Sequence, residues 1–162
     1  CALPIYERLI PREVEKTRTV YDRAQRKNVE EKYKEVDYQR EPIVDGPVLQ
    51  SGDLVEVKLE VTAKNNFEYL VFEDPKPAGC EAVELKSGYA WGAGLGAHME
   101  LRDERVAFFA TYLNQGTHEI RYRLRAEIPG EFHALPARAE CMYAPLVRGN
   151  AASRVLKIRE AK

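Results

Sequence analysis

The sequence predicts an all-β chain, an antiparallel two-sheet β-sandwich of roughly seven to nine strands. Three observations carry this. Val55, Val57, Leu59 and Val61 alternate with Leu54, Glu56, Lys58 and Glu60, the period of two that marks a half-buried strand. The same period returns over 117–126. There His118, Ile120, Tyr122, Leu124 and Ala126 share one side, and Thr117, Glu119, Arg121, Arg123 and Arg125 the other. Between such runs, turn residues recur at short intervals, and no stretch carries the period of a long amphipathic helix.

Taken in order, residues 1–41 form a charged lead-in and 42–162 the sandwich domain. In the lead-in, Val14, Thr17, Thr19, Val20 and Tyr21 read as one extended segment, and Tyr33, Val36 and Tyr38 as a second. The mixed-sign run over 30–35 reads as a solvated face or long loop. Pro42, Asp45-Gly46-Pro47 and Ser51-Gly52-Asp53 are turns ahead of the strand over 54–61. After a turn at Asn65-Asn66, a β-rich run over 67–72 ends near Pro75 and Pro77, which lack the N–H a ladder needs. Strand patterns follow over 97–102 and 106–112, and Gln115-Gly116 turns the chain into the strand over 117–126. Pro129-Gly130 breaks that strand, 132–142 continues as a broken one, and 154–158 is the last.

Lys plus Arg number 25 and Asp plus Glu 26, so the chain offers no bulk attraction to nucleic acid or to an anionic membrane. No apolar run approaches the roughly 20 residues of a membrane-spanning helix. Charge comes too early after Cys1 for a secretory leader. Cys1 at the start is also where a mature lipoprotein carries its lipid, although a cut domain explains the same start. Cys80 and Cys141 lie in or beside strand-like segments and read as buried thiols, with a bridge between them conceivable.

The candidate chemistry is sparse. Gly92-Ala93-Gly94-Leu95-Gly96-Ala97 satisfies the G-x-G-x-x-A pattern, which binds a dinucleotide only when a strand precedes it and a helix follows. A strand pattern follows instead, so the segment reads as a connection between sheets, and no cofactor is expected. His98, His118 and His133 have no metal-ligand spacing, so no metal site is expected either. Glu100, Asp103 and Glu104 could host acid–base chemistry but read as strand-end charges, and no nucleophile motif is present, so the chain is not expected to be an enzyme. Arg121, Arg123 and Arg125 could meet phosphates, or pair with carboxylates of the next strand, which is the favoured reading.

Four segments in order carry a resemblance: 67–79 (FEYLVFEDPKPAG), 99–109 beginning MELRDERV, 116–126 with Pro129-Gly130, and 139–145 (AECMYAP). Together they resemble the last macroglobulin-like domain of bacterial alpha-2-macroglobulins, over about residues 52–150, while the first 40 residues fit it poorly. The resemblance implies a macroglobulin or immunoglobulin-like sandwich at the end of a large extracytoplasmic protein, in the periplasm or at the cell surface. Such a parent traps and inhibits proteases, which it meets through other domains, and many carry a Cys-x-Glu-Gln thioester. The last domain packs on the thioester domain and shields that bond. No cysteine here begins that motif, so the covalent link would belong elsewhere in the parent. The resemblance places Met142, Tyr143 and Pro145 near the shielding surface, as partner-binding residues. The alternative is a stand-alone surface sandwich that binds a protein or glycan.

Overall fold

The computed structural model describes residues 2–22, 26–43, 48–84 and 87–161. The two alternating segments lie side by side in it. Strand β4 (Leu54–Ala63) pairs antiparallel with β10 (Gly116–Ala126), with Tyr122 opposite Val57 and Leu124 opposite Val55. β1 (Ala2–Asp22), β2 (Lys27–Pro42) and the short β6 (Cys80–Ala82) complete a five-stranded sheet in the order β2-β1-β4-β10-β6. Facing it is a six-stranded sheet built from β5 (Phe67–Pro75), β7 (Gly88–Gly92), β8 (Leu95–Leu101), β9 (Arg105–Leu113), β12 (Arg138–Cys141) and β13 (Ala144–Asn150), ordered β13-β12-β5-β9-β8-β7. Both sheets are antiparallel throughout.

The inward residues expected from periodicity are the core. Val55, Val57, Leu59, Val61, Ile120, Tyr122 and Leu124 are all buried against Leu70, Phe72, Phe108 and Leu113 of the other sheet. Each such aliphatic or aromatic side chain contributes about 1.5–3 kcal/mol by leaving water. One polar tie crosses this core: the Tyr122 hydroxyl donates to Asp74 Oδ2 at 2.7 Å, joining the two sheets.

Three features depart from the sequence reading. Fourteen strands appear among the described residues rather than seven to nine, because three- to five-residue pieces such as β6 and β7 are too short to show a period. A third sheet of three strands, β11 (Gly130–Ala134), β14 (Arg154–Arg159) and β3 (Val48–Gln50), adds Leu49, Leu156 and Ile158 to the same core. Its β14–β3 pairing is the one parallel ladder among the described strands.

The charged run over 30–35 is neither loop nor tail but part of β2. The lead-in is also not separate from the sandwich, since β1 pairs with β4 from Ala2 to Leu9 and buries Tyr6 and Leu9. Past Leu9 the β1–β2 hairpin runs on alone, through Asp22 opposite Lys27. At about 3.3 Å per residue that ribbon extends for ~40 Å. Its alternating charges pair across the strands: Arg18 with Glu31 at 2.8 Å, Lys34 with Glu13 at 3.0 Å and Lys16 with Glu35 at 2.7 Å.

Candidate docking surface at the β12–β13 turn

β12 ends at Cys141, which pairs with Ala144, so Met142 and Tyr143 form a two-residue turn at the tip of a hairpin. Short polar or glycine residues are usual at such a tip. Here both are large and apolar, and both are exposed; Tyr143 keeps 81% of its surface and Leu146, just beyond Pro145, keeps 96%. Beneath the tip stands Tyr69 of β5. Its carbonyl accepts a hydrogen bond from the Met142 N–H at 2.8 Å, and its ring meets the Tyr143 ring edge-on, with centroids 5.2 Å apart. Tyr69 takes a left-handed backbone at φ 54°, a conformation that costs an L-residue with a bulky side chain about 1–3 kcal/mol. A strained tyrosine therefore braces an exposed one. Tyr, Met and Leu side by side on a surface make the amphipathic, adaptable patch typical of interfaces.

Beside the tip the sandwich is open. A groove of about 420 Å³ enters between the sheets, walled by Val61 and Ala63 from β4, Leu70, Leu113 and Cys141 from the facing sheet, and Val147 from β13. Lys64, Glu140 and Arg148 also line it, with Glu140 directly across the ladder from Arg148. A second cavity, of about 480 Å³, is lined by several paired charges: Lys76 lies 3.1 Å from Glu81, and Arg105 lies 3.2 Å from Glu73.

The other sequence candidates fall in scattered places. The 92–97 segment is a hairpin within one sheet, not a connection between sheets. Gly92 pairs with Leu95 across an Ala93-Gly94 turn, and a strand stands where a dinucleotide site needs a helix N-terminus. Gly94, at φ 73°, also passes over the His118 ring. His118 is buried with its Nε2 2.8 Å from the Asn114 carbonyl, His98 lies edge-on to Tyr89, and His133 is exposed on β11. Glu100 pairs with Arg102 at 2.7 Å and Glu104 with Arg105 at 3.1 Å. Cys80 and Cys141 are buried free thiols; burial pushes the Cys80 thiol up to about 11 and raises Cys141.

Arginine–carboxylate pairing holds for two of the three arginines on β10. Glu56, on the outer side of β4, is covered by Arg40 at 2.6 Å, Arg121 at 2.8 Å and Arg123 at 3.5 Å. Burial alone would raise its carboxyl, but hydrogen bonds from Arg40 and Arg121 bring it below the usual range. Tyr69 is the site residue that pattern reading missed. Glycine or asparagine normally flags a left-handed position, and FEYLVF contains neither.

Against known proteins, the family described as "Bacterial Alpha-2-macroglobulin MG10 domain" matches residues 15–145. Alpha-2-macroglobulin of Thermotoga maritima is 34% identical over 107 residues, covering 59% of this chain and 7% of that protein. The alpha-2-macroglobulin homolog of Nostoc sp. is 27% identical over 128 residues, covering 72% and 7%. Among solved structures, a tyrosine-to-glycine mutant of Salmonella alpha-2-macroglobulin superposes with a TM-score of 0.59 at 27% identity, over 75% of this chain and 8% of that one. The elastase-activated Escherichia coli protein gives 0.58 at 26% identity, over 68% and 11%. The chain thus spans less than a tenth of the length of these curated relatives. By its sequence match across both sheets and by its fold, it belongs to the bacterial alpha-2-macroglobulin family, as a macroglobulin-like MG10 domain.

Proposed function

We propose that this domain is a non-enzymatic structural and interaction module of a longer, extracytoplasmic protease-trapping chain. In this reading Met142, Tyr143 and Pro145 dock on a neighbouring domain of the same parent and shield its thioester where one is present. The observation that carries it is the hairpin tip: Tyr143, 81% exposed, braced by the strained Tyr69. Strain of this kind persists where the surrounding structure holds a side chain in place for use. Proteins of the family inhibit proteases rather than act as enzymes, which fits a domain whose charged cavity is crossed by ion pairs such as Lys76 with Glu81 and Arg105 with Glu73. Another solved relative is Salmonella alpha-2-macroglobulin reacted with methylamine, and amine reactivity supplies the assay.

In the parent protein, Met142→Ala with Tyr143→Ala should leave this domain folded, because neither side chain is buried. The pair should loosen its docking and, in a thioester-bearing parent, raise the rate of inactivation by methylamine. An unchanged rate in a folded double mutant would place the shielding surface elsewhere.

A further inference from the structure

Tyr69 deepens the docking reading and rests on it. Two ladders flank its strand, and Tyr69 belongs to neither. The β5–β9 ladder pairs Glu68 with Tyr112 and Leu70 with Ala110 but skips Tyr69, and the β5–β12 ladder stops at Leu70 opposite Cys141. At φ 54° the backbone there suits glycine, and asparagine better than any bulky side chain. The ring does not repay this strain as core, for it is 45% exposed while its neighbour Leu70 is buried. Nor is the side chain needed for the bond to the hairpin tip, since it is the Tyr69 carbonyl that accepts the Met142 N–H at 2.8 Å. What the tyrosine side chain alone supplies is the edge-on contact to the Tyr143 ring at 5.2 Å.

We infer that Tyr69 is a positioning residue, whose ring sets the Tyr143 side chain in its docking orientation before the neighbouring domain arrives. The left-handed backbone is what aims that ring. A residue of ordinary strand geometry sends its side chain to one face of the sheet or the other, not along the strand end towards the tip. A free surface tyrosine gives up the freedom of its side-chain torsions on docking. One already held by a neighbour has given up much of it beforehand, a gain in affinity of about 2- to 10-fold for one ordered side chain. Tyr69 is thus strained for the sake of its neighbour's orientation and not for the stability of the sandwich.

The test uses Tyr69→Asn, which suits the left-handed backbone but lacks the ring, and Tyr69→Phe, which keeps the ring. In the 162-residue chain, NMR with isotope-labelled tyrosine reads the Tyr143 ring. Tyr69→Asn should move its signals towards those of a free tyrosine with no fall in the urea midpoint, and Tyr69→Phe should return them to the wild-type place. In the full-length protein, docking should protect the tip, residues 141–146, from hydrogen exchange relative to the same variant as the isolated chain. Tyr69→Asn should cut that protection by about 2- to 10-fold. Tyr69→Phe should restore it, and Tyr69→Asn should cost nothing further once Tyr143 is alanine. Unmoved Tyr143 signals in Tyr69→Asn would overturn the positioning role. So would a urea midpoint that falls with them, since Tyr69 would then serve the fold. If Tyr143→Ala removes the protection and Tyr69→Asn does not, docking at the tip survives and only the positioning fails. If the wild-type tip is no better protected in the full-length protein, the docking reading itself fails and takes this proposal with it.

Discussion

At the scale of single residues, the buried Asp74 is the most informative group. It lies wholly inside the sandwich, and burial raises its carboxyl to about 6, although the hydrogen bond from Tyr122 pulls the other way. Tyr6 on β1, Cys80 on β6 and Tyr122 on β10 are the titratable groups coupled to this cluster, and Arg154 on β14 reaches it through Tyr6. The folded state holds the proton more tightly than the unfolded chain, whose carboxyl titrates near 3.8. Asp74 therefore stabilises the fold most fully below pH 3.8, and that contribution is lost as pH rises to about 6. A shift of this size corresponds to on the order of 3 kcal/mol. Asp74→Asn keeps an acceptor for Tyr122 and removes the titration. The variant should gain stability over wild type as pH rises across that window, read as the difference in urea midpoints at matched pH. A constant difference would mean that Asp74 does not titrate there. Packing gives a contrasting pair on one strand: Leu124→Ala should cost about 2–5 kcal/mol. Arg123→Ala, with its 3.5 Å contact to Glu56 and a ring contact to Tyr38, should cost under about 1 kcal/mol.

At the scale of elements, the β1–β2 hairpin separates into two parts with different work. Its base supplies a sheet strand, buries Tyr6 and Leu9 and sets the Tyr38 ring against Arg123, whereas the ribbon beyond Tyr38 is strand-paired only to itself. Exposed cross-strand ion pairs like those along the ribbon contribute little each. Replacing residues 13–36 by a tight Asn-Gly turn should therefore change the unfolding free energy of the sandwich by no more than about 1 kcal/mol. Tyr6→Ala, by contrast, should cost about 3–5 kcal/mol. Thermal and urea unfolding check both, and a collapse on shortening would show that the ribbon braces the sheet.

At the scale of the whole molecule, legibility followed burial. Strands with one wet and one dry face announced themselves: Val55 to Val61 and Ile120 to Leu124 point where their spacing puts them. The lead-in's two extended segments were legible only through β-forming residues such as Val14, Val20, Tyr33 and Val36, because β2 is exposed on both faces for most of its length and carries no alternation to read. Glu56 looks like a solvent residue in sequence and is 3% exposed in the fold, since three arginines from β2 and β10 close over it. Met142, Tyr143 and Pro145 could be named from the family resemblance. The strained brace under them and the groove beside them depend on contacts between strands far apart in the chain.

The small third sheet has a consequence for the order of events during synthesis. Its parallel ladder joins Val48–Gln50 to residues 157–159, over a hundred positions later. Leu49, Leu156 and Ile158 reach the core only when that ladder closes. Closing so long a loop costs entropy before any contact rewards it, and folds dominated by such pairings form slowly. A nascent chain halted before β14 holds β3 without its partner and leaves one end of the core exposed to chaperones and proteases. Completion must wait for β14 to leave the ribosome, so a truncation just before it should yield a protease-sensitive, partly ordered chain.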